Sequence, residues 1–186
     1  MRQWFIALSS AAGLACGLVA PTNTIAPAVS AHAADEVHDA ARARTRSVSG
    51  SGVHLFTSVV IHSQTPTPTG MIQRSTDIVE LTGDLKGRVL YPPTSVFDFV
   101  NGTLVNTGHQ VFSGTVLGSE PVMLHDDEFR FEVNLNTGTE SGDVHLSDRI
   151  AGPKVACDLA IAGTGTKTPE GNPIVDYSGT CTFKYD

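Results

Sequence analysis

The sequence predicts an all-β protein, closed into an antiparallel β-barrel of about eight strands, with a two-sheet β-sandwich as the alternative. From Val53 onward no segment sustains a helical period. Short apolar alternations recur instead between clusters of Gly, Pro, Asn and Asp, the pattern of strands punctuated by turns. The candidate strands carry many Gly and Thr residues, are partly apolar on both faces, and have no helix to cover them, so closure is the arrangement that leaves no edge open to aggregation.

Ahead of these strands, "MRQWFIALSSAAGLACGLVAP" sets one Arg before an apolar run from Phe5 to Ala20, and Ala31-His32-Ala33 has the small-x-small form of a cleavage site. The run is short for a bilayer and is interrupted by Gly13 and Gly17, so residues 1–33 read as an export signal peptide. An uncleaved anchor and a lipid-modified Cys16 are the alternatives, and both share the exported fate. Residues 34–52, including the basic run "ARARTR", show no periodicity and read as a flexible lead-in. Residues 53–186 then form one β-barrel domain, secreted, periplasmic or extracellular, with no membrane association once the signal is removed. Of the twelve basic residues only Arg2 falls in the signal, leaving eleven against nineteen acidic side chains, a net charge of −8. That balance opposes nucleic acid and anionic lipid surfaces. A homo-oligomer is compatible with it.

Strands are expected near Val53–His62, Thr76–Thr82, Arg88–Tyr91, Val96–Val100, Gln110–Leu117, Glu128–Leu135, Asp143–Asp148, Val155–Gly163 and Ile174–Tyr185. "SQTPTPTG" is Pro-rich and reads as an extended loop, and the Asn-Gly of "FVNGTL" either closes a hairpin or bends a strand. Cys157 and Cys181 are the two cysteines left after the signal, an even count that favours a disulfide in an exported chain. An antiparallel pairing that sets them opposite one another also sets Val155 opposite Phe183, Ile161 opposite Tyr177 and Gly163 opposite Val175. Its turn then falls in "TKTPEGNP", rich in turn residues.

"HDDE", His125 to Glu128, precedes the alternation Phe129, Phe131, Val133, Leu135 and reads as a solvated turn at the start of a strand. A calcium or zinc site is the lesser reading, because consecutive residues splay to different sides. The other histidines are scattered, and no metal ligand set is assigned. Nucleophile-elbow, zinc-protease and phosphate-loop signatures are missing, and no cofactor is expected.

"LTGDLKGRVLY", Leu81 to Tyr91, resembles the T-G-D-L-K-x-R-V segment of plant allene oxide cyclases, and "FSGTVLG", Phe112 to Gly118, is similar to glycine-punctuated strands of bacterial proteins placed with that barrel. The resemblance implies a calycin-like eight-stranded barrel around an apolar cavity, in a family that includes exported proteins and cyclases of polyketide metabolism. It further implies an apolar small molecule as ligand, lipid-like or polyketide-like, folded by the cavity for cyclisation or isomerisation. Such steering needs few reactive groups. A carboxylate or phenol desolvated beside apolar residues could hydrogen-bond a carbonyl or epoxide oxygen, which makes Glu80, Tyr91 and Tyr177 the candidate catalytic residues. Phe129, Phe131 and Phe183 are the candidate cavity-lining residues. Two other functions need no catalysis: a lipocalin-like carrier, and a filled barrel acting as an extracellular interaction or inhibitor module.

Overall fold

A computed structural model describes residues 43–185. The expected signal peptide, and residues 34–42 of the expected lead-in, lie outside the described residues. The strands are β1 (Ala43–His54), β2 (Val60–Pro66), β3 (Gly70–Gly83), β4 (Leu85–Tyr91), β5 (Thr94–Asp98), β6 (Thr103–Val116), β7 (Val122–Asn134), β8 (Glu140–Leu146), β9 (Asp148–Ala151), β10 (Val155–Lys167) and β11 (Pro173–Lys184). The described residues include a single 3-10 turn at Phe56–Ser58 and no α-helix. The described residues are therefore all-β. In the order β1, β3, β4, β6, β7, β8, β10, β11, each strand pairs antiparallel with the next and β11 pairs back to β1, a ring of eight strands.

The remaining strands continue members of the ring. β4 and β5 hold one register: on β3, Asp77 faces Tyr91 and Arg74 faces Thr94, and on β6, Leu90 faces Val111 and Thr94 faces Thr107. They behave as one strand interrupted at Pro92-Pro93, which have no amide hydrogen for the ladder. β9 follows β8 along β7 in the same way, and β2 lies along the outer half of β3.

Four expectations are corrected here. Residues 43–52, expected in the lead-in, belong to β1, which pairs with β11 from Ala43 to Val53. Its inward positions are Val48, Gly50, Gly52 and His54. A Cβ on Gly50 would collide with the Tyr177 ring, and one on Gly52 would lie 2.9 Å from Val79 Cγ1. The strand's inner face was emptied of the apolar side chains by which strands are recognised. The single strand expected near Val53–His62 is broken by the 3-10 turn, and part of "SQTPTPTG" is β2 rather than loop. "HDDE" is no turn: β7 runs through it from Val122. A bulge opposite His109, between the pairs Gly108↔Phe129 and Gln110↔Asp126, holds Asp127 and Glu128 out of register. The strand's inward set therefore changes phase, from Val122, Leu124 and Asp126 to Phe129, Phe131 and Val133.

The cysteine-based register holds in every pair: Cys157 faces Cys181, Val155 faces Phe183, Ile161 faces Tyr177 and Gly163 faces Val175. The two cysteines are disulfide-bonded and buried, with Cα atoms 4.1 Å apart. The turn closes where Thr168 and Asn172 pair by their backbones, and the Asn101-Gly102 turn closes the β5–β6 hairpin with Gly102 at φ 66°.

The ring has two unlike halves. Around the β3–β4 and β6–β7 turns it is filled: Leu85, Phe112, Val116, Leu124 and Leu146 are fully buried, with the disulfide beside them. The motif "LTGDLKG" builds this floor. Gly83 takes φ 103° in the β3–β4 turn, and the Asp84 carboxylate accepts from the Ser49 amide at 2.8 Å. The opposite half, toward the β5–β6, β7–β8 and β10–β11 turns, is hollow.

Candidate functional site

The hollow is a cavity of about 450 Å³, in the range of small-molecule sites. Its two sides differ because the inward positions of the strands differ. On β7, β8, β10 and β11 these positions hold Phe129, Phe131, Val144, Ile161 and Val175, an apolar wall. On β3, β5 and β6 the directly opposed residues Gln73, Ser95 and Asn106 form a polar row across three neighbouring strands. Two inward positions deeper, past Ser75, Asp77 faces Tyr91 across β3 and β4.

At this deeper level β1 adds His54, whose Nε2 lies 2.9 Å from Asp77 Oδ2 and 3.1 Å from Tyr91 Oη. A carboxylate can only accept, so the Asp77 contact places the proton on Nε2. The Tyr91 oxygen then meets the same N–H as an acceptor, and the phenol proton stays available to donate into the cavity. Burial drives the Tyr91 phenol well above its ordinary pKa, reinforced by the charges of Asp77 and Glu140. Tyr91 is therefore a donor, not a phenolate. Its ring packs edge-on against Phe129 at 5.4 Å, and Phe56 packs edge-on against His54 at 4.5 Å. Glu140 stands across the cavity, half-buried, with its carboxyl pKa raised by desolvation. Below Tyr91, the Asp126 carboxylate accepts from the Gln110 amide at 2.8 Å and from the backbone amides of Glu128 and His145 at 3.0 Å each. That group is satisfied by the protein and holds the bulge.

Of the residues expected at the site, Tyr91, Phe129 and Phe131 line the cavity together. Tyr177 lies on its floor, but its hydroxyl is engaged by the β3–β4 turn. It accepts from the Leu85 amide at 2.7 Å and donates to the Thr82 carbonyl at 3.0 Å. Burial raises its pKa as well. Glu80 does not reach the cavity: strand alternation turns Val79 and Leu81 inward and Glu80 outward, where Arg88 Nη2 meets it at 2.6 Å. Phe183 shares the inward face but packs on the filled floor rather than lining the cavity. His54 and Asp77 were not legible as site residues, being far apart in the chain and brought together by the β1–β3 and β3–β4 ladders. The disulfide is present, and among the described residues no helix is long and apolar enough to cross a membrane and no cluster of metal-ligating side chains occurs. No family model, curated protein or solved structure matches this chain.

Proposed function

We propose that the ring of strands is a closed β-barrel of an exported protein, and that its cavity binds an apolar lipid-like or polyketide-like small molecule and folds it for cyclisation or isomerisation. The observation that carries this is the juxtaposition of an apolar wall with a buried phenol donor, Tyr91, backed by the His54–Asp77 pair. The wall presses a flexible substrate into a reactive fold and excludes water. Tyr91 donates to a carbonyl or epoxide oxygen as charge develops there, and His54, held by Asp77, stabilises that charge and can return the proton. An isomerisation conserves atoms and electrons, so no cofactor or co-reactant is required. The hollow half argues against the filled-barrel module.

Two measurements test this. Native mass spectrometry of protein from its own source should show a cyclised product in the cavity; an unchanged hydrophobe would make the protein a carrier. With polyene epoxide or polyenone substrates, Tyr91→Phe should lower kcat by about 10²-fold with KM little changed. No rate above buffer for the unaltered protein would remove the enzyme reading.

A further inference from the structure

We infer that the cavity selects neutral, oxygen-bearing hydrophobes and rejects carboxylate-bearing ones such as free fatty acids, with the polar row Gln73–Ser95–Asn106 reading the ligand's hydroxyl or carbonyl. The inference rests on the proposed ligand-binding reading and adds the ligand's charge class to it. Three observations carry it.

The first is charge. Asp77 and Glu140 both border the cavity as carboxylates. The basic groups near them are already committed or turned away. His54 is bonded to Asp77, and Arg130, which borders the cavity beside Asp143, has its guanidinium paired with Glu132, to which its Nε donates at 2.7 Å. Lys167 offsets part of the Glu140 charge but does not line the cavity. An anionic head entering this space would meet like charge in a desolvated setting, with no fork of donors to receive it.

The second is the unused hydrogen-bonding capacity of the row. Ser95 is 5 % exposed, and its hydroxyl makes no hydrogen bond within the described residues. The Asn106 side-chain oxygen is buried without a partner. Gln73 accepts from Gln64 at 2.8 Å through its oxygen, which leaves its NH2 to donate. Buried polar groups are normally paired. A neutral hydroxyl or carbonyl laid along this row would pair them with no charge to desolvate.

The third is position. Gln73, Ser95 and Asn106 stand on three consecutive strands facing the apolar wall, so a ligand with one polar edge and one apolar face is oriented by both sides at once. The depth of Tyr91, two inward positions further in, then sets which oxygen it meets.

The test uses one conjugated polyene skeleton in four forms: the fatty acid, its methyl ester, the primary alcohol and the hydrocarbon. Binding to the full folded protein at pH 8 is followed by the rise in polyene fluorescence, and each affinity is referred to partition of the same probe into neutral detergent micelles. After that correction the alcohol and the ester should bind at least about tenfold more tightly than the acid, and the alcohol more tightly than the hydrocarbon. Ser95→Ala should lower alcohol affinity about five- to tenfold and leave the hydrocarbon unchanged. In Asp77→Asn/Glu140→Gln the acid should recover most of its deficit. An acid that binds as well as the alcohol, or that stays excluded from the double variant, overturns the selectivity argument. Equal losses for alcohol and hydrocarbon in Ser95→Ala overturn the role of the row. Should none of the four probes bind, the ligand-binding reading fails, and this inference with it.

Discussion

The filled and hollow halves of the ring are made by the same strands, yet one is packed solid and the other holds a cavity. In the filled half the inward side chains are Leu, Val and Phe that interlock, together with a disulfide and a tyrosine whose hydroxyl closes the β3–β4 turn. In the hollow half, amides, a serine, a histidine and the Asp77 carboxylate occupy inward positions on one side and face aromatic and branched residues, with Glu140 among them, on the other. Polar groups cannot interdigitate with an apolar wall without losing hydrogen bonds, so that half stays open. Stability and function are therefore separated along the strand axis. Substitutions in the floor should act on folding, and those near the mouth on the ligand.

The largest contrast is expected between two phenylalanines. Phe112→Ala, at a fully buried floor position, should cost about 3–5 kcal/mol in denaturant unfolding, from lost transfer energy plus an unfilled void. Phe131→Ala enlarges a space that is already hollow and should cost only about 1–2 kcal/mol, while weakening binding of a polyene probe. Comparable costs would mean that the two halves are not distinct.

Next in size is the disulfide, buried in the floor with its cysteines 24 positions apart in the chain. Replacing Cys157 and Cys181 together with Ala should lower stability by about 2–4 kcal/mol, and thiol titration of the denatured, unreduced protein should find no free thiol. Probe binding in the hollow half should persist. Loss of binding with the fold intact would join the two halves into one cooperative site.

The smallest effect sharpens the comparison through pH. Glu140 has a folded-state pKa raised by desolvation, so the native state holds its proton more tightly than the unfolded chain does. The stability this group contributes is present below the ordinary carboxyl range and is lost as pH rises through the raised value. Glu140→Gln should therefore raise the melting temperature slightly at pH 7 and have no effect near pH 3.5, a difference that thermal melts at the two values would read. The same gain at both pH values would show that solvent already screens the carboxylate.

How much of this was readable depends on whether a signal was local. The all-β class, the β10–β11 register and the disulfide follow from residue alternation, turn chemistry and two cysteines, all of which act over short spans of chain. Phe129 and Phe131 were legible as cavity residues because alternation places them on one apolar face, and Tyr91 was singled out only as a phenol beside apolar residues. β1 was hidden, since its inner face carries Gly50 and Gly52 to make room for Tyr177 and Val79, a demand that comes from other strands. "HDDE" was misread for a similar reason: the bulge that holds it within β7 is set by pairing with β6. Glu80 and Tyr177 had the right chemistry, but their partners, Arg88 on β4 and the backbone of the β3–β4 turn, engage them elsewhere.

By itself the sequence determined that the chain makes strands, which residues alternate, where the last hairpin turns and which cysteines meet, because backbone pleating and turn preferences are properties of neighbouring residues. Only the tertiary structure decided that His54, Asp77 and Tyr91 converge, that Gln73, Ser95 and Asn106 form one row, and that half of the ring is hollow. These depend on the ladder register between strands distant in the chain, and on whether inward side chains from opposite walls can fill the space between them.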